Sequence, residues 1–86
     1  MSYQLFITRT AQKEISLIPK EFALNIKEHI LKLKNEPRPS GCKILKNREG
    51  WRLRYSNYRI IYEIDDDTKI ITILHVGHRK DIYNRL

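Results

Sequence analysis

The sequence predicts one α+β domain of two layers, in which an N-terminal strand and two helices pack on an antiparallel β-sheet in the order β-α-α-β-β-β-β. Apolar residues follow helical spacing within residues 11–35, whereas strand-length apolar runs separated by polar turns begin at residue 42. The length of the chain agrees with a single domain, because 86 residues with 41% hydrophobic content support one small core. We therefore expect residues 1–86 to form a single domain.

The first two expected elements are a strand and a short helix. Residues 3–8 are rich in β-forming side chains and are followed by polar residues, which suits an opening strand. Thr8 or Thr10 can then accept a hydrogen bond at the start of a helix. Residues 11–17 place apolar side chains on one face of about two helical turns, so an amphipathic helix is predicted there.

A longer helix is predicted over residues 19–35. Pro19 suits its first helical position, because the amide hydrogen that proline lacks would have no partner there. One stripe of apolar residues, roughly 100° wide, faces the core. Leu24 and Leu31 lie on the opposite side, either as tolerated surface leucines or as a docking patch for a partner.

Four strands are predicted in the second half of the chain, and their short connections favour an antiparallel meander. Three consecutive aspartates at 65–67 suit a solvated hairpin turn, because calcium-binding loops alternate their ligands instead. The four strands span residues 42–46, 51–56, 58–64 and 69–76.

Cysteine and hydropathy patterns bear on the cellular compartment. Cys42 is the single cysteine, so it forms no internal disulfide and supplies too few ligands for a structural zinc site. No apolar run approaches the roughly 20 residues that cross a bilayer, and the first residues lack the pattern of a secretory signal. We expect a cytoplasmic protein that uses no metal or cofactor and does not bind a membrane.

Positive charge dominates the chain and is concentrated in one segment. Seventeen Lys and Arg against ten Asp and Glu give a net charge of +7, which favours a polyanionic or acidic partner. Between residues 43 and 59, six basic residues stand against Glu49. The six are Lys43, Lys46, Arg48, Arg52, Arg54 and Arg59.

The register of the hairpin in this segment follows if Ser56 and Asn57 form a two-residue turn. Arg54 then lies opposite Arg59, and the pleat places Arg52 on the same face. Like charges directly opposite each other are destabilising by up to about 1 kcal/mol, and an anion between them reverses the effect. Because guanidinium groups match phosphate oxygens, this face suits a phosphodiester.

Two alternatives concern the same hairpin. The arginines could be solvated or paired with Glu63, which is predicted to share their face. The aromatic residues of the two strands could stack on bases, but alternation directs them toward the helices, which favours a core role. These aromatic residues are Trp51, Tyr55, Tyr58 and Tyr62.

Titratable side chains crowd the end of the last strand. Gly77 permits a change of direction, after which His78 and Arg79 are expected to turn toward the arginine face. A histidine there can transfer a proton, although an isolated surface histidine is usually inert. His29 and His75 are assigned no role.

Three motifs resemble the RelE/ParE superfamily of bacterial toxins, and the resemblance covers essentially the whole chain. They are WRLR at 51–54, YRIIY at 58–62 and VGHRKDIY at 76–83. The resemblance implies the RelE-like fold. It also implies one of two activities, namely ribosome-dependent cleavage of mRNA in the RelE branch or poisoning of DNA gyrase in the ParE branch.

Five positions favour the RelE branch, whose members carry basic residues on the hairpin, an arginine after the glycine and a tyrosine near the C-terminus. Here they are Arg52, Arg54, Arg59, Arg79 and Tyr83. The implied reaction is attack of a ribose 2′-hydroxyl on the adjacent phosphate, without a metal.

The resemblance also implies roles for the residues. Arg59 and Arg79 are expected to stabilise the phosphorane, and His78 is the preferred acid with Tyr83 as second choice. The general base stays open between Glu49 and Lys43, because arginine is a poor proton acceptor. The expected RNA-binding residues are Arg52, Arg54, Lys43 and Lys46.

The implied partners are a cognate antitoxin with an acidic or amphipathic segment and the ribosome with bound mRNA. Operator DNA is expected to be contacted through the antitoxin. Two other hypotheses are a gyrase poison and a module that binds antitoxin or nucleic acid without cleaving it.

Overall fold

The computed structural model describes residues 2–46 and 48–82 and confirms the predicted order of elements. One further short helix follows the last strand. The elements are β1 (Gln4–Ile7), α1 (Arg9–Ser16), α2 (Lys20–Lys32), β2 (Lys43–Ile44), β3 (Trp51–Tyr55), β4 (Tyr58–Asp65), β5 (Ile70–His78) and α3 (Arg79–Ile82).

The five strands form one sheet in the order β1-β5-β4-β3-β2. Strands β2 to β5 pair antiparallel, as predicted for the meander. Strand β1 is itself part of the sheet and pairs parallel with β5, with Ile7 opposite Ile73. The predicted two-layer α+β architecture is confirmed, and the sheet is mixed at this edge.

The two long helices begin one residue after their caps. The Thr8 hydroxyl accepts a hydrogen bond from the Ala11 amide at 3.1 Å, which selects Thr8 over Thr10 as the cap of α1. Pro19 is the N-cap of α2, so the helix starts at Lys20, one residue later than predicted. Within the described residues, no helix has the length and apolar character required to cross a bilayer.

The main core lies between the two helices and one face of the sheet. Helix residues such as Ile26 and strand residues such as Ile60 are fully buried there, each contributing roughly 1.5–3 kcal/mol. The aromatic residues of the hairpin pack in or against this core, which confirms their predicted orientation. Leu24 and Leu31 are exposed, so the choice between a tolerated surface position and a docking patch stays open.

The opposite face of the sheet, called the outer face below, carries a second and smaller apolar cluster. Ile61 and Ile82 are fully buried in it, and Leu45 and Leu74 pack beside them. Because Ile82 belongs to α3, this short helix covers part of the outer face. Side chains of the hairpin of β3 and β4 lie on the same face, beside this cluster.

One extra residue in β5 changes the side-chain alternation along that strand. Ile61 pairs with His75 and Tyr62 pairs with Ile73, so Leu74 has no counterpart in β4 and forms a β-bulge. Ile73 and Val76, three residues apart, consequently both face the main core. Every residue after the bulge has the opposite phase from an uninterrupted strand.

The loop after α2 is attached to the sheet through Arg38. Its guanidinium lies 5.0 Å from the centre of the Trp51 ring and forms an ion pair with Asp66 at 2.8 Å. The Tyr3 hydroxyl also donates a hydrogen bond to Asp66, at 2.6 Å. These contacts hold the loop against the turn between β4 and β5.

This cluster should make stability depend on pH in the acid range. The hydrogen bonds from Arg38 and then Tyr3 lower the pKa of Asp66 from its ordinary value of 3.8 to about 2. Because the folded pKa is below the unfolded one, the contribution is complete above about pH 4 and is lost as the pH falls toward 2. Urea unfolding midpoints should therefore fall more steeply over this range in the wild type than in Asp66→Asn. Asp67→Asn is the control, and superimposable slopes for wild type and Asp66→Asn would contradict the assignment.

Candidate functional site

The hairpin register is the one that the sequence predicts. Ser56 and Asn57 form the turn, Arg54 lies opposite Arg59, and Arg52 lies opposite Ile61 on the outer face. The positive φ of 54° belongs to Ser56 and not to Asn57. Two arginines are thus held directly across from each other on neighbouring strands.

A second pair of like charges lies beside the first. Lys43 in the short strand β2 is directly opposite Arg52 in β3. The sequence did not indicate this pair, because a strand of two residues has no recognisable periodicity. Each like-charge pair is destabilising by up to about 1 kcal/mol in the absence of an anion.

These side chains line a cleft of about 310 Å³, called the cationic cleft below. Of the seven described residues that line it, four are basic and none is acidic. Low-dielectric walls around charges of one sign concentrate the electrostatic field, so the cleft attracts anions. The lining residues are Ser40, Gly41, Lys43, Arg52, Leu53, Arg54 and Arg59.

Arg59 is the buried member of the cleft, with 5% of its surface exposed. Its Nη1 donates a long hydrogen bond of 3.4 Å to the Tyr58 carbonyl, and its Nε is buried without a partner among the described residues. An arginine side chain stays charged, and burying an uncompensated charge costs several kcal/mol. An anion in the cleft would supply the missing acceptor.

Neither of the two directly opposed arginines forms the alternative ion pair with Glu63. Within the described residues, neither Arg54 nor Arg59 makes an ion pair. Glu63 lines a different depression, of about 910 Å³, together with Lys46 and Glu49. The expected RNA-binding residue Lys46 is therefore separated from the cationic cleft, whereas Lys43 lines it.

His78 does not turn toward the arginine face, which corrects that expectation. It pairs with Tyr58 on the face that carries the helices, and the two rings meet edge to face at 6.0 Å. Its Nδ1 accepts a hydrogen bond from the Lys80 amide at 3.4 Å. The bulge explains the difference, because it reverses the alternation of side chains along β5, so that Gly77 lies opposite Arg59 and His78 faces the helices.

Arg79 begins α3 beside the turn of the hairpin. Its amide donates a hydrogen bond to the Asn57 carbonyl at 2.8 Å, which fixes the start of the helix. The residue is exposed and is not among those that line the cationic cleft. Tyr83, the second candidate acid, lies outside the described residues.

The three consecutive aspartates lie where β4 ends and the hairpin turn begins, as predicted for a turn at this position. Asp65 accepts hydrogen bonds from the amides of Asp67 and Thr68 at 3.0 and 3.1 Å. Across residues 2–46 and 48–82, no three His, Cys, Asp or Glu side chains form a group suited to a metal ion.

Comparisons with known proteins agree with this architecture. The family model described as ParE toxin of type II toxin-antitoxin system, parDE, matches residues 5–83. The chain is 32% identical to Toxin RelG of Mycobacterium tuberculosis over 87 residues, covering 99% of this chain and all of that protein.

Two solved structures share the fold. One is the RelBE2 toxin-antitoxin complex of Mycobacterium tuberculosis, with a TM-score of 0.80, 30% identity and coverage of 92% of this chain and 100% of that one. The other is the archaeal RelE-RelB complex of Pyrococcus horikoshii OT3, with a TM-score of 0.81, 27% identity and coverage of 92% and 97%. The chain therefore belongs to the ParE toxin family of type II toxin-antitoxin systems, within the RelE/ParE superfamily.

Proposed function

We propose that this toxin is a ribosome-dependent endoribonuclease, an mRNA interferase that cuts translated mRNA. The observation that carries the proposal is the buried guanidinium of Arg59, which lacks an acceptor for its Nε and lies in a cleft with three more basic side chains. A phosphodiester offers the oxygen acceptors and the negative charge that this arrangement lacks.

The reaction is attack of a ribose 2′-oxygen on the adjacent phosphorus. The bond between the 2′-oxygen and phosphorus forms as the bond to the 5′-oxygen breaks, leaving a 2′,3′-cyclic phosphate and a 5′-hydroxyl. Negative charge accumulates on the non-bridging oxygens, where fixed donors lower the barrier most. Arg59 supplies such donors, while Arg52, Arg54 and Lys43 hold the flanking backbone.

Proton transfer requires a base at the 2′-hydroxyl and an acid at the 5′-oxygen. Lys43 shares the cleft with Arg59, whereas Glu49 lines the other depression, which favours Lys43 as the base. The acid is His78 or Tyr83. His78 lies on the helix-covered face, away from the arginines, and this position favours Tyr83 as the acid. Arg79 is proposed to stabilise the phosphorane with Arg59, from its exposed position at the start of α3.

The ribosome is the natural partner of such a site. The cleft supplies charge stabilisation but few groups for proton transfer, so most of the rate must come from positioning of the RNA. A ribosome that holds mRNA bent in its decoding site provides that positioning, and cleavage of free RNA should be slow. The proposed site of action is the cytoplasm, and the proposed chemistry uses no cofactor.

A cognate antitoxin is the second proposed partner. The two solved relatives described above are complexes with RelB antitoxins. The net charge of +7 on this chain suits a partner with an acidic or amphipathic segment. Contact with operator DNA is assigned to the antitoxin.

Primer extension on a translated message after induction of the toxin tests the proposed function. Wild-type toxin should produce new 5′ ends clustered at codon positions in the translated region and absent when translation initiation is blocked. Growth arrest with double-strand DNA breaks and no such ends would instead assign gyrase poisoning, to which the match with the ParE family model gives weight. Binding of RNA without any cut would assign a binding module.

A further inference from the structure

Strand β5 extends beyond the strand that flanks it. Strand β1 ends at Ile7, opposite Ile73, so within residues 2–46 and 48–82 the later part of β5 has no neighbouring strand on that side. Helix α1 packs against β5 there. A strand edge without a partner leaves amide hydrogens that need acceptors.

Glu14 of α1 supplies one of these acceptors. Its Oε1 accepts a hydrogen bond from the Val76 amide at 3.1 Å and lies 3.3 Å from Nδ1 of His75. The Glu14 side chain is 10% exposed and that of His75 is 20% exposed. Hydrogen bonds in such partly dry surroundings are stronger than at an open surface, because water competes less for the carboxylate.

The residues that follow Val76 lead directly to the candidate site. Gly77 lies opposite Arg59, and Arg79 starts α3 beside the turn of the hairpin. A displacement at Val76 would therefore move the backbone that faces the buried guanidinium. Neither Glu14 nor His75 lines the cationic cleft, so any effect of Glu14 on that cleft must pass through β5.

We propose that Glu14 is a positioning residue, whose contacts with Val76 and His75 fix the end of β5 and thereby hold Arg59 in its buried position. The consequence for catalysis rests on the proposed nuclease function. The consequence for the structure does not. The two consequences are therefore measured separately.

Glu14→Ala and Glu14→Gln distinguish positioning from general stability, because glutamine keeps an oxygen that accepts from the Val76 amide. Hydrogen exchange of that amide should be about tenfold faster in Glu14→Ala and close to wild type in Glu14→Gln. The NMR signal of the Arg59 Nε–H should shift in Glu14→Ala and return toward its wild-type position in Glu14→Gln. Glu28→Ala, an exposed glutamate of α2, is the matched control and should change neither signal.

Single-turnover cleavage on programmed ribosomes gives the catalytic readout. Glu14→Ala should lower the maximal rate about tenfold with the half-saturating ribosome concentration nearly unchanged, and Glu14→Gln should recover most of the rate. Unchanged exchange at Val76 or an unchanged Arg59 signal in Glu14→Ala would overturn the proposal. So would a normal cleavage rate in Glu14→Ala under conditions in which Arg59→Gln is inactive. If the wild type cuts no mRNA, the proposed function fails, and the two NMR measurements still decide whether Glu14 positions Arg59.

Discussion

Arg59→Gln is expected to lower the single-turnover rate of mRNA cleavage on programmed ribosomes by about 10²- to 10³-fold, the loss that follows removal of one fixed donor to a developing oxyanion. The side chain is buried, so no other basic residue can move into its place without rearranging the sheet. Induced cells should resume growth for the same reason. Growth curves and ribosome-bound cleavage assays measure the two effects.

The variant should remain folded, because it removes a buried cation that has no acceptor for its Nε among the described residues. Arg48→Gln is the matched control, since Arg48 is exposed and lines the depression outside the cleft. It should retain nearly full activity. A cleavage rate in Arg59→Gln within a few-fold of the control would show that the cationic cleft is not the catalytic site.

Binding of single-stranded RNA by the free protein is expected to weaken about 20- to 50-fold between roughly 50 and 200 mM salt, if three to four phosphates contact the cleft. Each contact contributes about 0.7 to the slope of log K against log salt. Arg54→Gln should reduce that slope by one such increment. Fluorescence anisotropy over a salt series measures both quantities.

Arg54→Gln, which should weaken RNA binding, should make the free protein more stable. Arg54 lies directly opposite Arg59, so its neutralisation should raise the free energy of unfolding by up to about 1 kcal/mol in the absence of an anion. Arg48→Gln again serves as control for the general loss of one positive charge. Lower stability in Arg54→Gln, together with an unchanged salt slope, would contradict the account of the hairpin.

Local patterns predict most of this fold, and long-range pairing explains what they miss. The hairpin register follows from a two-residue turn and strand alternation, both of which are local. The parallel pairing of β1 joins Gln4 to Ile70, and nothing near either residue specifies it. Helix α3 has four residues, too few for a periodic pattern to be recognised.

In the candidate site, too, local patterns predict some features and miss those that depend on long-range pairing. The opposition of Arg54 and Arg59 is predictable because one turn sets it. The burial of Arg59 is not predictable in this way, because β4 is also flanked by β5, whose register is changed by the bulge at Leu74. His78 was assigned to the wrong face because a single extra residue, Leu74, leaves no signature in the sequence.

That extra residue has a consequence for comparing this toxin with its relatives. A homologue that lacks the counterpart of Leu74 would have an uninterrupted strand and would still pair its glycine with the hairpin arginine, because the residues on either side of the bulge keep their partners in β4. An alignment gap at this position therefore leaves the residue that faces the arginine unchanged. Single-residue insertions and deletions are therefore expected to be tolerated at the bulge, where they leave every residue of the cleft in register.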